Sequence, residues 1–162
     1  MRVLDTAALL HWPVERCRGG IVAISQQDEL LRVDEQRSLL MESASLDWQV
    51  PLQSALQQAR EIASETGDLP RLSPVDLDVL ALAIDLNLPL VTDDYRMKNV
   101  ARKAGISVEG VLTSGGKKQW KWILRCIGCR AEEDVPLSAK QSKKDDVQLC
   151  DRCGSPMKLK KG

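Results

Sequence analysis

The chain of 162 residues is expected to fold as an α/β protein, a mostly parallel sheet with helices on both faces, followed by a small metal-organised ribbon. Three observations predict this. Short apolar runs of strand length alternate with longer amphipathic stretches, which is the pattern of repeated strand–helix units. The links between them are short, which places successive elements side by side. Lastly, Cys126-Ile127-Gly128-Cys129 and Cys150-Asp151-Arg152-Cys153 form two Cys-x-x-Cys pairs twenty residues apart, the spacing of a tetrahedral four-thiolate site.

At this length the chain holds one α/β core and an appendage, not two ordinary domains. An apolar content of 43% excludes a disordered chain. Met1-Arg2-Val3-Leu4-Asp5 lacks the apolar run of a signal peptide, and no segment approaches the roughly 20 apolar residues of a membrane span. A cytoplasmic protein with no membrane association is expected, and in that reducing setting paired cysteines read as metal ligands rather than disulfides. The net charge of zero conceals a split: residues 1–115 carry 11 Lys and Arg against 17 Asp and Glu, and residues 116–162 carry 12 against 6. An acidic body with a basic tail fits a protein that grips a polyanion at one end and holds cations at the other. It also fits two surfaces of opposite sign docked on each other.

Taken in order, Arg2-Val3-Leu4 reads as a buried strand ending at Asp5, with a helix from Thr6 that stops at His11-Trp12 before Pro13. The single His argues against a His-based metal site or triad, and Cys17 reads as a small packed residue. Ile21-Val22-Ala23-Ile24 is the second strand. Ser25-Gln26-Gln27-Asp28 after it has capping-box spacing, which gives Asp28 a structural role and leaves Glu29 facing the carboxyl rim of the sheet. Glu35 to Leu46 fits a helix with Leu39, Leu40, Met41 and Ala44 inward; Glu42 on it lacks a strand-end context and belongs to a solvated face. Asp47-Trp48-Gln49-Val50 is a short strand, and Leu52 to Glu65 a helix stopped by Thr66-Gly67-Asp68. Ser73-Pro74-Val75-Asp76 carries three helix-start signals, an N-cap, a Pro at the first position and an acid at the third. Asp78 should point away to the surface. Leu88 to Thr92 is a strand with Pro only at its start, Tyr95 to Ala104 a helix closed by Gly105, and Ile106-Ser107-Val108 the last strand.

The acids Asp5, Glu29, Asp76 and the Asp93–Asp94 pair therefore share one edge of the expected sheet, where ligands sit in open α/β folds. Singly, each can be explained as a cap or a surface group. Together they repel: unit charges about 4 Å apart cost roughly 1 kcal/mol in water and about 4 at an effective dielectric of 20, so cations should fill the cluster. Oxygen ligands without His or Cys select one or two Mg²⁺ or Mn²⁺ ions, and such a site suits phosphodiester hydrolysis. Neighbours at a strand end point to opposite sides, so the choice between Asp93 and Asp94 stays open.

Three blocks carry a resemblance: Val3-Leu4-Asp5-Thr6; Ser73 with Asp76, Val79, Leu80, Leu82 and Ala83; and Leu90-Val91-Thr92-Asp93-Asp94-Tyr95 followed by Asn99-Val100-Ala101. They resemble the signature blocks of PIN-domain nucleases. With the cysteine tail that ends Cys-x-x-Cys-Gly-x-Pro, nearly the whole chain resembles the Nob family of ribosome-biogenesis endonucleases in its compact archaeal form. The likeness implies Asp5, Asp76 and Asp94 as metal-binding carboxylates with Asp93 beside them, and Glu29 as the acid of the second helix. It further implies cleavage of single-stranded precursor small-subunit (16S) rRNA at its mature 3′ end, with the pre-small ribosomal subunit and assembly factors as partners. Ala7 replaces the Ser that often follows the Asp-Thr pair. The alternatives are a general PIN-type ribonuclease and a non-catalytic RNA-binding assembly factor.

The expected division is a nuclease domain over residues 1–112, a linker over 113–119 and a ribbon with a basic tail over 120–162. Cys126, Cys129, Cys150 and Cys153 are expected to hold one structural Zn²⁺, with iron or a redox pair as the other options. A segment of about 45 residues has too little core to fold without such a metal. Lys117, Lys118, Trp120, Lys121, Trp122 and Arg125 interleave aromatic and basic side chains, as RNA stacking and phosphate contact require. The pattern equally suits a Trp that packs the ribbon on the body. Lys158-Leu159-Lys160-Lys161 is expected to be mobile and to add polyanion affinity.

Overall fold

The computed structural model describes residues 1–114, 117–144 and 146–162, so Gly115 and Gly116 of the expected linker lie outside the described residues. Strands β1 (Val3–Leu4), β2 (Ile21–Ala23), β3 (Asp47–Gln49), β4 (Leu90–Val91) and β5 (Val108–Glu109) form one sheet in the order β3-β2-β1-β4-β5, and every neighbouring pair is parallel. The chain runs outward from β1 to β3, then crosses back to add β4 and β5 on the other side. Strand order therefore reverses between β1 and β4, and the crevice at their carboxyl ends is the switch point at which such sheets bind ligands.

Successive side chains of a strand point to opposite faces, so each strand feeds two cores. Val3, Ile21, Ala23 and Leu90 pack with α5 (Gln53–Thr66), α6 (Pro74–Leu86) and α7 (Tyr95–Lys103). Leu4, Val22 and Val91 pack on the other face with α1 (Thr6–His11), α2 (Val14–Cys17), α3 (Gln26–Val33) and α4 (Glu35–Met41). Helix α6 is buried on several sides at once, with Leu77 and every residue from Val79 to Ala83 in the core, as befits a helix between a sheet and two other helices. A helix that leads back into a parallel strand runs against it, so the N-terminus of α6 lies on the carboxyl rim. Its capping box forms as expected: Ser73 Oγ accepts from Asp76 N at 3.1 Å and Asp76 Oδ2 accepts from Ser73 N at 2.8 Å.

Four local expectations are corrected. Ser25 makes no capping bond to α3, because its backbone is already helical (φ −60°, ψ −18°) rather than extended. Its hydroxyl instead donates to Asp78 Oδ2 at 2.7 Å, so Asp78 is tied down rather than free at the surface. Leu39 and Leu40 are exposed, and α4 turns only Met41 inward, helped by Ala44 in the following 3₁₀ turn. The last strand starts two residues late, because Ile106 N closes α7 by donating to Ala101 O at 2.9 Å and is unavailable to the sheet.

The C-terminal part forms a second, antiparallel sheet of β6 (Trp122–Cys126), β7 (Glu132–Asp134), β8 (Asp146–Leu149) and β9 (Pro156–Lys161), in the order β7-β6-β9-β8. The residues expected to be a mobile tail are thus an interior strand, with Leu159 opposite Leu124. Leu124, Val135, Met157 and Leu159 belong to the same apolar cluster as α5, α6 and α7. Ser64 Oγ on α5 donates to Val135 O at 2.7 Å, and Ser142 N to Pro70 O at 2.7 Å. At Gly67 (φ +79°) a Cβ would run into the Trp122 carbonyl, so only glycine lets the ribbon's first strand come this close.

Candidate active site

Three elements deliver carboxylates to the switch point. Asp5 ends β1 and caps α1, Asp94 follows β4 and caps α7, and Asp76 sits in the first turn of α6. One buried hydroxyl joins the first two. Thr92 Oγ1 donates to Asp5 Oδ2 at 2.6 Å and accepts from Asp94 N at 3.0 Å, while Asp5 Oδ1 accepts from Thr6 N at 2.7 Å. Asp94 Oδ1 in turn accepts from Arg96 N at 2.7 Å and Met97 N at 3.3 Å. Glu29 comes from α3 and is held by Thr6 Oγ1, which donates to its Oε2 at 2.5 Å. That hydroxyl accepts from Gln26 Nε2 at 3.2 Å, and the buried Gln26 also donates to Leu4 O and accepts from Ala23 N.

The electrostatics show that these acids feel one another. Burial raises the pKa of Asp5 to about 7; the hydrogen bonds from Thr92 and Thr6 oppose the rise, and Asp76 and Asp94 add to it. Asp76 is raised mainly by burial, with the charges of Asp94 and Glu29 pushing the same way against the bonds from Ser73. Burial and neighbouring charge thus disfavour the ionised forms of Asp5 and Asp76, a cost that a bound cation would offset and that the N-termini of α6 and α7 relieve in part. An all-oxygen donor set of this kind fits Mg²⁺ or Mn²⁺.

Asp93 is not brought into this group. Its carboxylate accepts from the backbone N–H groups of Val111 (2.8 Å), Leu112 (2.9 Å) and Thr113 (3.4 Å) and from the Thr113 hydroxyl, and it lies 3.8 Å from buried Lys98. Partial burial pushes its pKa up, but those donors outweigh that and hold it below the ordinary carboxylate value. Of the neighbouring pair, Asp93 ties down the chain after β5, and Asp94 faces the acids. Glu42 is exposed, as expected.

The four knuckle cysteines form a second centre, with all Sγ atoms within 4.8 Å of one another. Cys126 and Cys153 sulfurs are 3.3 Å apart and those of Cys129 and Cys150 3.6 Å. Hydrogen bonds from Ser155 and the neighbouring sulfur hold Cys153 down at about 6. Cys129, despite an Ala131 N–H that favours its thiolate, is pushed up to about 11 by desolvation and three adjacent sulfurs. Four thiolates this close need a cation between them, and a sulfur-only set fits zinc.

Of the basic and aromatic residues ahead of the first knuckle, Lys117 and Lys118 are exposed. Trp120 has Lys161 Nζ 3.6 Å and Lys118 Nζ 5.9 Å from its ring centroid. Trp122 packs against the body core with the Arg96 guanidinium 4.1 Å over its ring. Lys121 pairs with Asp134 at 3.0 Å and Arg125 with Glu132 at 2.7 Å. No helix among the described residues is long and apolar enough to cross a membrane.

Comparison with known proteins adds a family-level finding. Residues 3–86 match the model of the PIN domain of ribonuclease. The chain is 31% identical to Endoribonuclease Nob1 of Methanocaldococcus jannaschii over 170 aligned positions, spanning 99% of this chain and 77% of that protein. It is 37% identical to Endoribonuclease Nob1 of Pyrococcus abyssi over 131 positions, spanning 78% and 75% respectively. Ribonuclease VapC1 of Thermoplasma acidophilum is 38% identical over 103 positions, spanning 64% of this chain and 48% of that protein.

Proposed function

The chain belongs to the PIN-domain endoribonucleases, in the family of the archaeal Nob1 enzymes, and on that premise we propose that it cuts single-stranded precursor small-subunit (16S) rRNA to leave the mature 3′ end. The observation that carries the reading is the convergence of Asp5, Glu29, Asp76 and Asp94 on the crevice between β1 and β4. In this reading residues 1–112 are the nuclease unit, 113–119 the linker and 120–162 the ribbon, and the enzyme works in the cytoplasm on the pre-small ribosomal subunit beside its assembly factors.

Asp5, Asp76 and Asp94 would hold one or two Mg²⁺ or Mn²⁺ ions, with Glu29 at the edge of the same site. When bound, such ions supply an activated water and neutralise charge on the phosphoryl oxygens and the leaving 3′ oxygen. The protein's own part is orientation. Thr92 keeps Asp5 and Asp94 at a fixed separation, Thr6 aims Glu29, and the N-terminal ends of α6 and α7 favour a phosphate at the mouth. Asp5 must release its proton before it can ligate. Asp93, used by the loop after β5, supports the site rather than ligating.

The ribbon would take one Zn²⁺ on Cys126, Cys129, Cys150 and Cys153 and present Lys117, Lys118, Trp120, Lys121 and Arg125 to the rRNA, whereas Trp122, expected from the sequence to join them, is withdrawn from that surface by its packing on the body core under Arg96. Lys118 and Trp120 can meet RNA as they stand, whereas Lys121 and Arg125 would exchange a carboxylate partner for a phosphate. The test is incubation of the purified protein with Mn²⁺ and an RNA spanning a small-subunit 3′ end. Cleavage at the mature end is expected, and Asp5→Asn should abolish it with RNA affinity kept. Cuts scattered over any single strand would indicate a general PIN ribonuclease. No cleavage by the wild type would leave only a zinc-stapled RNA binder.

A further inference from the structure

One buried polar assembly takes no part in the acid cluster yet supports it from below. Asp68, wholly buried beyond the end of α5, accepts Arg96 Nη1 at 3.1 Å on Oδ1 and Asn99 Nδ2 at 2.6 Å on Oδ2. Asn99, also wholly buried, turns its other edge to the ribbon. Its Nδ2 donates to Trp120 O at 2.9 Å, and its Oδ1 accepts from Trp120 N at 2.8 Å and Gln119 Nε2 at 2.8 Å. The Arg96 guanidinium lies between Asp68 and the ring of Trp122. Both residues stand on the first turns of α7, and the Arg96 N–H itself holds the Asp94 carboxylate.

We propose that Arg96 and Asn99 are positioning residues through which the docked ribbon fixes the start of α7, and with it the Asp94 carboxylate, at the divalent-cation site. The inference rests on the reading of Asp94 as a ligand. Helix α7 has nine residues, too few to hold its shape without outside support. Apolar contact alone would let it slide, whereas a fully bonded amide and a buried ion pair each permit one arrangement. Asp68 fixes the helix from the α5 side and Trp120 with Trp122 from the ribbon side. Ligand sets respond to such support, and loss of an outer partner commonly costs about 10–100-fold in metal affinity or activity.

Charge and position predict opposite signs for one substitution, which makes the proposal testable. Arg96→Ala removes a cation near the acids, so charge alone would tighten Mn²⁺ binding, whereas loss of positioning weakens it. Mn²⁺ affinity is measured by calorimetry on the full-length zinc-loaded protein without RNA. Arg96→Ala and Asn99→Leu are expected to weaken it by about tenfold or more, Arg96→Lys to recover part of the loss, and exposed Lys103→Ala to leave it unchanged. On an RNA too short to reach the ribbon, kcat should fall with KM unchanged. Should Asn99→Leu fail to fold, partly exposed Arg96 still carries the comparison. Equal or tighter Mn²⁺ binding by Arg96→Ala with wild-type circular dichroism would overturn the proposal. Binding that is the same in Asp5→Asn and wild type would instead overturn the site reading, and this inference with it.

Discussion

Thr92 joins two carboxylate positions of the proposed site with one hydroxyl, donating to Asp5 and accepting from the Asp94 backbone. Thr92→Val keeps the shape and removes both bonds, so cleavage at saturating Mn²⁺ should drop by roughly 10–100-fold in a single-turnover assay. A drop of less than twofold would show that the hydroxyl is dispensable. The Asp5 pKa of about 7 fixes a pH dependence. The folded state keeps a proton that the unfolded chain releases near 3.8, so this stabilising contribution is complete below about pH 4 and is lost as pH rises through about 7. The metal-free protein should therefore melt at lower temperature as pH rises over that window, each pKa unit being worth about 1.4 kcal/mol, and Asp5→Asn should flatten the slope. Mn²⁺ must displace the same proton, so its affinity should climb with pH and level off above about 7, which titration calorimetry can follow. Asp5, Asp76 and Asp94 were legible in the sequence because caps and strand ends have local signatures. The roles of Thr92 and Thr6 were not, since Thr92 and Asp5 are 87 positions apart and Thr6 and Glu29 are 23 apart.

At the level of elements, two serines with similar spacing behave differently because only one has the backbone a cap requires. Ser73 is extended (φ −75°, ψ 164°) and caps α6, so Ser73→Ala should cost about 1 kcal/mol in urea unfolding. Ser25 is helical and caps nothing; Ser25→Ala should cost less than half of that. The start of α3 is anchored instead by Gln26, whose buried amide ties it to β1 and the β2 end without capping any α3 N–H. Gln26→Leu strands the Ala23 N–H and Leu4 carbonyl and should cost about 2–3 kcal/mol while displacing Thr6 and hence Glu29. Strand and helix order was readable throughout the body, because apolar period and turn residues are local. The late start of β5 and the ordering of Pro156–Lys161 were not. The first depends on how the Gly105 turn uses Ile106 N, and the second on Leu124 and its neighbours pairing with a lysine-rich segment whose Lys158 and Lys160 alternate with buried Met157 and Leu159, while Lys161 lies over the ring of Trp120.

At the scale of the whole molecule, the ribbon's apolar face and the body's α5–α7 face are one core, so zinc should stabilise more than the ribbon. A ribbon that depended on its metal alone and shared no core with the body would let Cys126→Ser with Cys129→Ser unfold the tail, weaken RNA binding and leave the body intact. The shared core predicts otherwise. Leu124, Met157 and Leu159 are packed with residues of α5 and α6, and burial of each such side chain is worth about 1.5–3 kcal/mol. Losing even one of these contacts, about 2 kcal/mol, lowers the melting temperature of a chain this size by about 4–8 °C. The double variant, or wild type held with a zinc chelator, should therefore melt in a single transition at least that much lower by calorimetry. Trp122 fluorescence, which reports the ribbon–body contact, should change in the same step as the far-ultraviolet dichroism of the helices. Two transitions, with the helical one unmoved from the zinc-loaded value, would mean that the body's core closes without the ribbon. The ribbon would then be a docking arm only, and the Asn99–Trp120 bonds could not brace α7 once zinc is removed.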